Sequence, residues 1–190
     1  SYGSRGLGDV YKRQVTNLSL VDGSGAASNY NLTSSTLTIT ARPLSLSGSR
    51  VYDATTSVAA SDLSTISNLV GSETIILSGN GVTGNKNVGE SKALTNISGL
   101  SLGNGSNGGL ASNYTLSGGT HKINVIKRPI TISGAKTYDG STTVQNTFIS
   151  TLSNRAGGET LNITGSGTVN SAAVGTNKTI SLGSLALTDN

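Results

Sequence analysis

Acidic residues that return at a fixed spacing are the first candidates for chemistry in this chain. Glu73 is matched by Glu159, and Asp53 by Asp139, in each case 86 positions later. Two carboxyls held roughly 5–10 Å apart could act on a glycoside as acid and base, or as acid and nucleophile. Each Glu stands alone beside a Thr, however, and the Asp is the only other acid that recurs, so the pair reads as structural. The single His121 faces Ser35 at the matching position of an earlier copy. A site built on it would belong to one copy only, and a surface strand residue is the simpler reading. Gly79-Asn80-Gly81 and Gly165-Ser166-Gly167 are not followed by a helix or a Lys, so they read as turn glycines and not as a phosphate cradle. The chain has no Cys, which excludes thiolate nucleophiles, thiolate metal sites and disulfides. No Asp-rich calcium loop is present. The sequence assigns no catalytic, cofactor-binding or metal-ligating residue.

Charge and composition narrow the class further. Thirteen Lys and Arg stand against nine Asp and Glu, but Arg5, Lys12 and Arg13 lie in the first fourteen residues with Asp9 as their only acid. The remaining basic residues are scattered, apart from a loose group of Lys122, Lys127, Arg128 and Lys136, with little aromatic interleaving for base stacking. Nucleic acid is therefore not an expected partner. Charged residues make up only 12% of the chain, Gly numbers 26, and Thr, Val and Ile recur in short runs. That is a β-rich composition, unlike that of an ordinary intracellular enzyme. No apolar run approaches the ~18 residues of a membrane helix. No signal peptide is seen, and it is expected to have been lost with the ends of a larger protein.

An internal repeat positions these residues. Arg42-Pro43-Leu44-Ser45-Leu46-Ser47-Gly48 returns as Arg128-Pro129-Ile130-Thr131-Ile132-Ser133-Gly134, and without a gap the 54 columns from 42–95 against 128–181 hold 20 identities. Chance would give about a tenth of the columns. Gly71, Glu73, Val88-Gly89 and Lys92 recur as Gly157, Glu159, Val174-Gly175 and Lys178. A partial copy precedes these, with Ser28-Asn29-Tyr30 answering Ser112-Asn113-Tyr114. The chain divides into 1–14, a non-native segment whose run Leu7–Gln14 resembles adapter read-through; 15–41, the end of a first repeat; 42–127, a complete repeat; and 128–190, a truncated one. A unit this long is a small domain rather than one coil of a solenoid.

Period-2 alternation predicts strands at 36–40, 50–52, 74–78, 93–102 and 113–118. The apolar phase moves from Leu37 and Ile39 to Leu44 and Leu46 across Arg42-Pro43, with Ile123 and Val125 repeating the first phase before Arg128-Pro129, which predicts a bulge, bend or change of sheet at the Arg-Pro. Leu63, Ile66 and Leu69 are spaced like one face of a helix, so 59–70 is either a short helix or strand. The fold expected is mainly β, in tandem domains that are sandwich-like or β-grasp-like with at most one short helix each. Tyr52 and Tyr138 are rare aromatics after strand-like runs, so core roles are expected, with sugar stacking as the alternative. Asp53 and Asp139 then suit Asx turns.

Val51-Tyr52-Asp53, Lys136-Thr137-Tyr138-Asp139-Gly140, Asn87-Val88-Gly89 and Ala111-Ser112-Asn113-Tyr114 together resemble the YDG repeat of large bacterial adhesins, including filamentous-haemagglutinin-like proteins of two-partner secretion. Ala54 departs from the motif's Gly, and Ala173 from its Asn. The resemblance implies secretion, a place at the cell surface, an outer-membrane secretion partner, and no enzymatic residue. The expected role is a passive stalk whose partners are its neighbouring repeats. The alternative is a weak multivalent module for host glycans or matrix, with Glu73 and Glu159 as its contacts.

Overall fold

A strand persists only where a neighbour accepts its backbone hydrogen bonds, and the 42–127 repeat supplies those neighbours. The computed structural model describes residues 19–33 and 36–188 and divides the chain into two units, Ser1–Ile39 and Thr40–Asn190. The expected read-through segment, Asn17-Leu18, Ser35 and Asn190 lie outside the described residues. In the first unit the Asp22 carboxylate accepts the Ala27 N–H at 2.6 Å, at the head of a 3-10 turn, Ala27–Asn29. The strand predicted at 36–40 is absent: Leu37 is 77% and Ile39 76% exposed. Their counterparts Ile123 and Val125 are buried because strands flank them on both sides, and 36–40 has no such partners among the described residues.

In the second unit the complete repeat runs β1 (Arg42–Pro43), β2 (Ser45–Ser47), β3 (Ser49–Val51), β4 (Ser57–Ala59), β5 (Thr65–Ser67), β6 (Ile75–Thr83), β7 (Gly89–Asn96), β8 (Leu100–Asn104), β9 (Tyr114–Thr115) and β10 (Lys122–Ile126). Its main sheet has the order β3-β10-β7-β6-β4, with β8 also on β6. β10 lies inside the sheet: it pairs parallel with β3 and antiparallel with β7. β2 pairs with β5, and β1 lies parallel to β9. The following repeat carries β11 (Thr131–Gly134), β12 (Thr143–Gln145), β13 (Ile149–Ser153), β14 (Asn162–Thr164), β15 (Ser166–Val169), β16 (Ile180–Ser181) and β17 (Ala186–Thr188). Its pairings β11–β13, β12–β15–β16 and β14–β17 reproduce β2–β5, β4–β6–β7 and β6–β8. The protein is mainly β, and the chain changes sheet across Arg128-Pro129, between β10 and β11.

One open expectation is resolved and two are corrected. Residues 59–70 form a 3-10 turn, Ala60–Asp62, followed by β5, and no longer helix. The Asp62 carboxylate takes the Ala59 N–H at 3.1 Å, and pairing with β2 claims the rest of the segment. The strand expected at 93–102 is two, because Asn96 Oδ1 accepts the Ser98 N–H at 2.8 Å and turns the chain between β7 and β8. Gly79 and Gly81 are not turn residues. They lie inside β6, whose first half pairs with β8 and whose second half pairs with β4 and β7. Gly79 bends the strand at φ 84°, and a Cβ there would stand 2.0 Å from the Gly99 carbonyl oxygen. Gly165 repeats both features, at φ 85° and 2.1 Å from the Ser184 oxygen.

The core of the complete repeat joins Leu46, Val58, Leu63 and Leu100 to Ile123 and Val125 of β10. Burying each such side chain contributes about 1.5–3 kcal/mol. In the following repeat the counterparts of β9 and β10 fall beyond residue 190, and 135–137 forms no strand where β3 would be. Ile130 and Ile132 are only half-buried, against 0% and 2% exposure for Leu44 and Leu46. We therefore expect the piece 42–127 to melt cooperatively by itself, and the piece 128–190 to melt at least about 10 °C lower. Equal melting temperatures would mean that β10 does not complete the core.

Candidate functional site

The Tyr-Asp turn begins where β3 ends. Tyr52 still donates its N–H to Ile126 of β10, at 2.9 Å. Asp53 Oδ1 then accepts the Thr55 N–H at 2.9 Å, and Asp139 accepts the Ser141 N–H at 2.9 Å, so both copies close the expected Asx turn. Each Asp also pairs with a base three residues before it, Asp53 with Arg50 and Asp139 with Lys136, the latter at 2.8 Å. Burial pushes the Asp53 carboxyl up, but the Thr55 N–H and the Arg50 guanidinium outweigh it and hold it below the ordinary carboxylate range. Lys136, and then the Ser141 N–H, do the same for Asp139.

This turn faces the next repeat. The Tyr52 hydroxyl donates to Glu159 Oε1 at 2.6 Å, and Lys86 forms an ion pair with the same oxygen. Arg128 clamps Asn154 through its carbonyl at 2.6 Å and its Oδ1 at 2.8 Å, and reaches back to the Tyr52 carbonyl at 3.4 Å. Asn154 Nδ2 returns a bond to the Pro129 carbonyl at 2.8 Å. Gly157 sits at φ 56°, and a Cβ built on it would be 2.8 Å from the Ala54 Cβ. The backbones therefore approach as closely as a bare glycine allows. Electrostatics follow the geometry. Lys86, then Tyr52, lower the Glu159 pKa below its ordinary 4.5. Glu159 in turn raises Lys86 above 10.5. It also raises Tyr52 above 10.0, with burial adding to the effect.

The complete repeat carries the same receptor surface. Arg42 clamps Asn68 at 2.8 Å to its carbonyl and 2.7 Å to its Oδ1, and Asn68 Nδ2 bonds the Pro43 carbonyl at 2.6 Å. Glu73 accepts the hydroxyl of its own Tyr114, whose oxygen also takes the Val70 N–H at 3.1 Å. Glu73 raises the Tyr114 pKa, and burial adds to it. Asn113 closes the 3-10 turn Ala111–Asn113 that delivers Tyr114 into the core.

The two motif tyrosines part company. Tyr52 is half-buried and packs against the Leu46 cluster, whereas Tyr138 is 64% exposed, which corrects its expected core role. Tyr52 lies beside Ile126 of β10 and over the Leu46 cluster, and among the described residues no strand stands in the place of β10 beside Tyr138. His121 is 8% exposed rather than a surface residue, and its Nε2 lies 2.8 Å from the Leu116 carbonyl. The recurrent Lys92 and Lys178 fasten their own loops, through the carbonyls of Asn85 at 3.0 Å and Ser171 at 3.1 Å. A cleft of about 940 Å³ in the last repeat is lined by Ile132, Val144, Phe148 and Ile180. The counterparts of the first two, Leu46 and Val58, pack against β10 in the complete repeat. Sequence reasoning missed Asn68 and Asn154, although an identical Asn in both copies at the repeat step was a usable signal. It also missed Lys86, for which no signal existed because Ala172 stands at its counterpart.

The model of the YDG domain matches residues 36–122 and 124–190. The chain belongs to the YDG domain family. No curated protein and no solved structure matches it. In the first matched segment the Tyr-Asp pair follows β3 and opens an Asx turn that meets the next copy.

Two predictions follow from this geometry. Tyr52→Ala should destabilise the chain by about 2–4 kcal/mol through lost packing, and Tyr138→Ala by less than about 0.5 kcal/mol. Equal shifts of both denaturation midpoints would refute the asymmetry. For pH, a carboxylate whose folded pKa is lowered stabilises above its unfolded value and loses that contribution as pH falls through the folded one. Glu159, Asp53 and Asp139 therefore predict weakening below about pH 4. Lys86 and Tyr52, both raised, stabilise below their ordinary values and lose that as pH climbs past about 10. Denaturant titrations across pH should show a plateau between these limits, with a shallower acid limb in Glu159→Gln.

Proposed function

We propose that this YDG chain is a structural spacer of a secreted or surface-attached bacterial adhesin, without catalysis, whose partners are the repeats before and after it. One observation carries the reading: several of the recurrent polar residues meet at the joint between repeats. Tyr52, Arg128, Asn154 and Glu159 bond to one another, and Lys86 adds its charge to the same carboxylate. A stalk must resist bending at its joints, and convergent bonds anchored on a half-buried ring serve that need. A ligand site would instead leave a recurrent constellation open to solvent. Glu159, the strongest recurrent candidate for a ligand contact, is already engaged. Secretion, the outer-membrane partner and the extracellular location rest on the resemblance to adhesin repeats.

One charged residue and an amide could support only a site near millimolar affinity, about −4 kcal/mol. The full chain should therefore show no saturable binding on a broad array of glycans and matrix proteins. Tandem copies should also bind nothing, since avidity multiplies an affinity without creating one. Saturable binding that Glu73→Ala abolishes would replace the spacer with an adhesive repeat.

A further inference from the structure

The occupied joint has a matching surface on the complete repeat. Gly71 holds φ 54°, as Gly157 holds φ 56°, yet nothing among the described residues lies within 4 Å of a Cβ built there. The Arg42–Asn68–Pro43 clamp is assembled to within about 0.2 Å of the Arg128–Asn154–Pro129 clamp. The receptor side is thus built before any occupant arrives. At the far end Tyr138, the counterpart of Tyr52, is exposed on a turn already closed by Asp139 and Lys136. We infer that the surface of Asn68, Gly71 and Glu73 is a docking site for the Tyr-Asp turn of another repeat of this kind, and that Tyr138–Gly140 is the matching plug. The occupant is a second copy of the domain, joined head to tail.

The chemistry of Glu73 fits that partner. Its Oε2 takes the hydroxyl of Tyr114. Glu159, whose own repeat reaches residue 190 before any Tyr114 counterpart, takes Tyr52 on Oε1. A carboxylate accepts through two oxygens, so one Glu can receive its own domain's tyrosine and its neighbour's together. Within an array each such Glu becomes a bridge between two tyrosines, one in its own core and one from the adjoining domain. The plug at Tyr138 lacks the lysine of the inner joint, because Ala172 replaces Lys86, so this contact is the weaker of the two. The inference deepens the spacer reading and rests on its claim that neighbouring repeats are the partners. A spacer with free joints would pass the array test and fail the test below, and a glycan-binding repeat with locked joints would do the reverse.

The absence of native Cys makes cross-linking clean. In the inner joint Ala54 and Gly157 approach to 2.8 Å between Cβ positions, so a chain with Ala54→Cys and Gly157→Cys should close on itself after a small relaxation and serves as control. Chains carrying Gly71→Cys are then mixed with chains carrying Gly140→Cys in a redox buffer. The mixed disulfide should exceed either homodimer about tenfold, and Tyr138→Ala on the plug chain should remove most of that excess. A statistical mixture, or an excess indifferent to Tyr138→Ala, overturns the proposal. If left-handed backbone strain prevents the cysteine chains from folding, the unsubstituted chain decides by NMR. Its Gly71 amide should shift with concentration up to about 2 mM, and Tyr138→Ala should abolish the shift. An immobile Gly71 amide overturns the proposal equally.

Discussion

Glu159 receives a phenol and an ammonium from the preceding repeat on one oxygen, and the setting of one domain on the next depends on that convergence. The ion pair alone would fix little. Lys86 and Glu159 are 45% and 31% exposed at their side chains, and pairs of that kind contribute little and are screened by salt. The tyrosine makes the difference. Its ring packs on the core of Leu46, Val58 and Leu63, so the hydroxyl is aimed by a rigid body and not by a mobile stem. Arg128 completes the frame by holding its own Asn154 and reaching the Tyr52 carbonyl. Bending at the joint therefore strains contacts that reach into the core, and stiffness between repeats is tied to packing within one.

That dependence extends to the order of the chain. β10 is the last strand of its repeat, yet it lies between β3 and β7 and supplies Ile123 and Val125 to the core. The repeat cannot close until its final residues arrive, so its decisive contacts are non-local and expensive in loop entropy. β10 also provides the Ile126 carbonyl that receives the Tyr52 N–H. The plug at one end of the repeat is consequently set by the strand that leads into the next.

The sequence made some of this legible, and physical reasons mark where it stopped. Period-2 alternation and the Gly, Thr and Val content gave the β class, and the Arg-Pro phase change located the change of sheet. The Asx turns followed from Asp with Thr or Ser two residues on. The helical spacing of Leu63, Ile66 and Leu69 left 59–70 open, because one turn of 3-10 helix and a three-residue strand share it by accident. Gly79 and Gly81 were mistaken for turn residues because a glycine required by close backbone passage looks the same in sequence as one required by a turn. The pairing of Tyr52 with Glu159 spans two repeats, and no local pattern encodes it. Recurrence marked both residues as important without showing that they meet.

Ala54 shows how far the joint governs single residues. It stands where the motif places Gly and holds φ 66°, close to the 74° of Gly140. An alanine in that region carries about 1 kcal/mol of backbone strain. The turn around it is over-determined: Asp53 accepts from Thr55, Arg50 pairs with Asp53, and Arg50 also donates to the Thr55 carbonyl at 2.7 Å. Those bonds hold the left-handed residue in place whether or not it is glycine. Its methyl then leaves no room opposite, and the residue opposite is Gly157, which has no Cβ and is left-handed as well. Gly71 meets only the backbone requirement, and Gly157 meets the backbone and the contact together. One recurrent glycine is thus fixed by folding in one copy and by docking as well in the next, so its recurrence cannot separate the two demands.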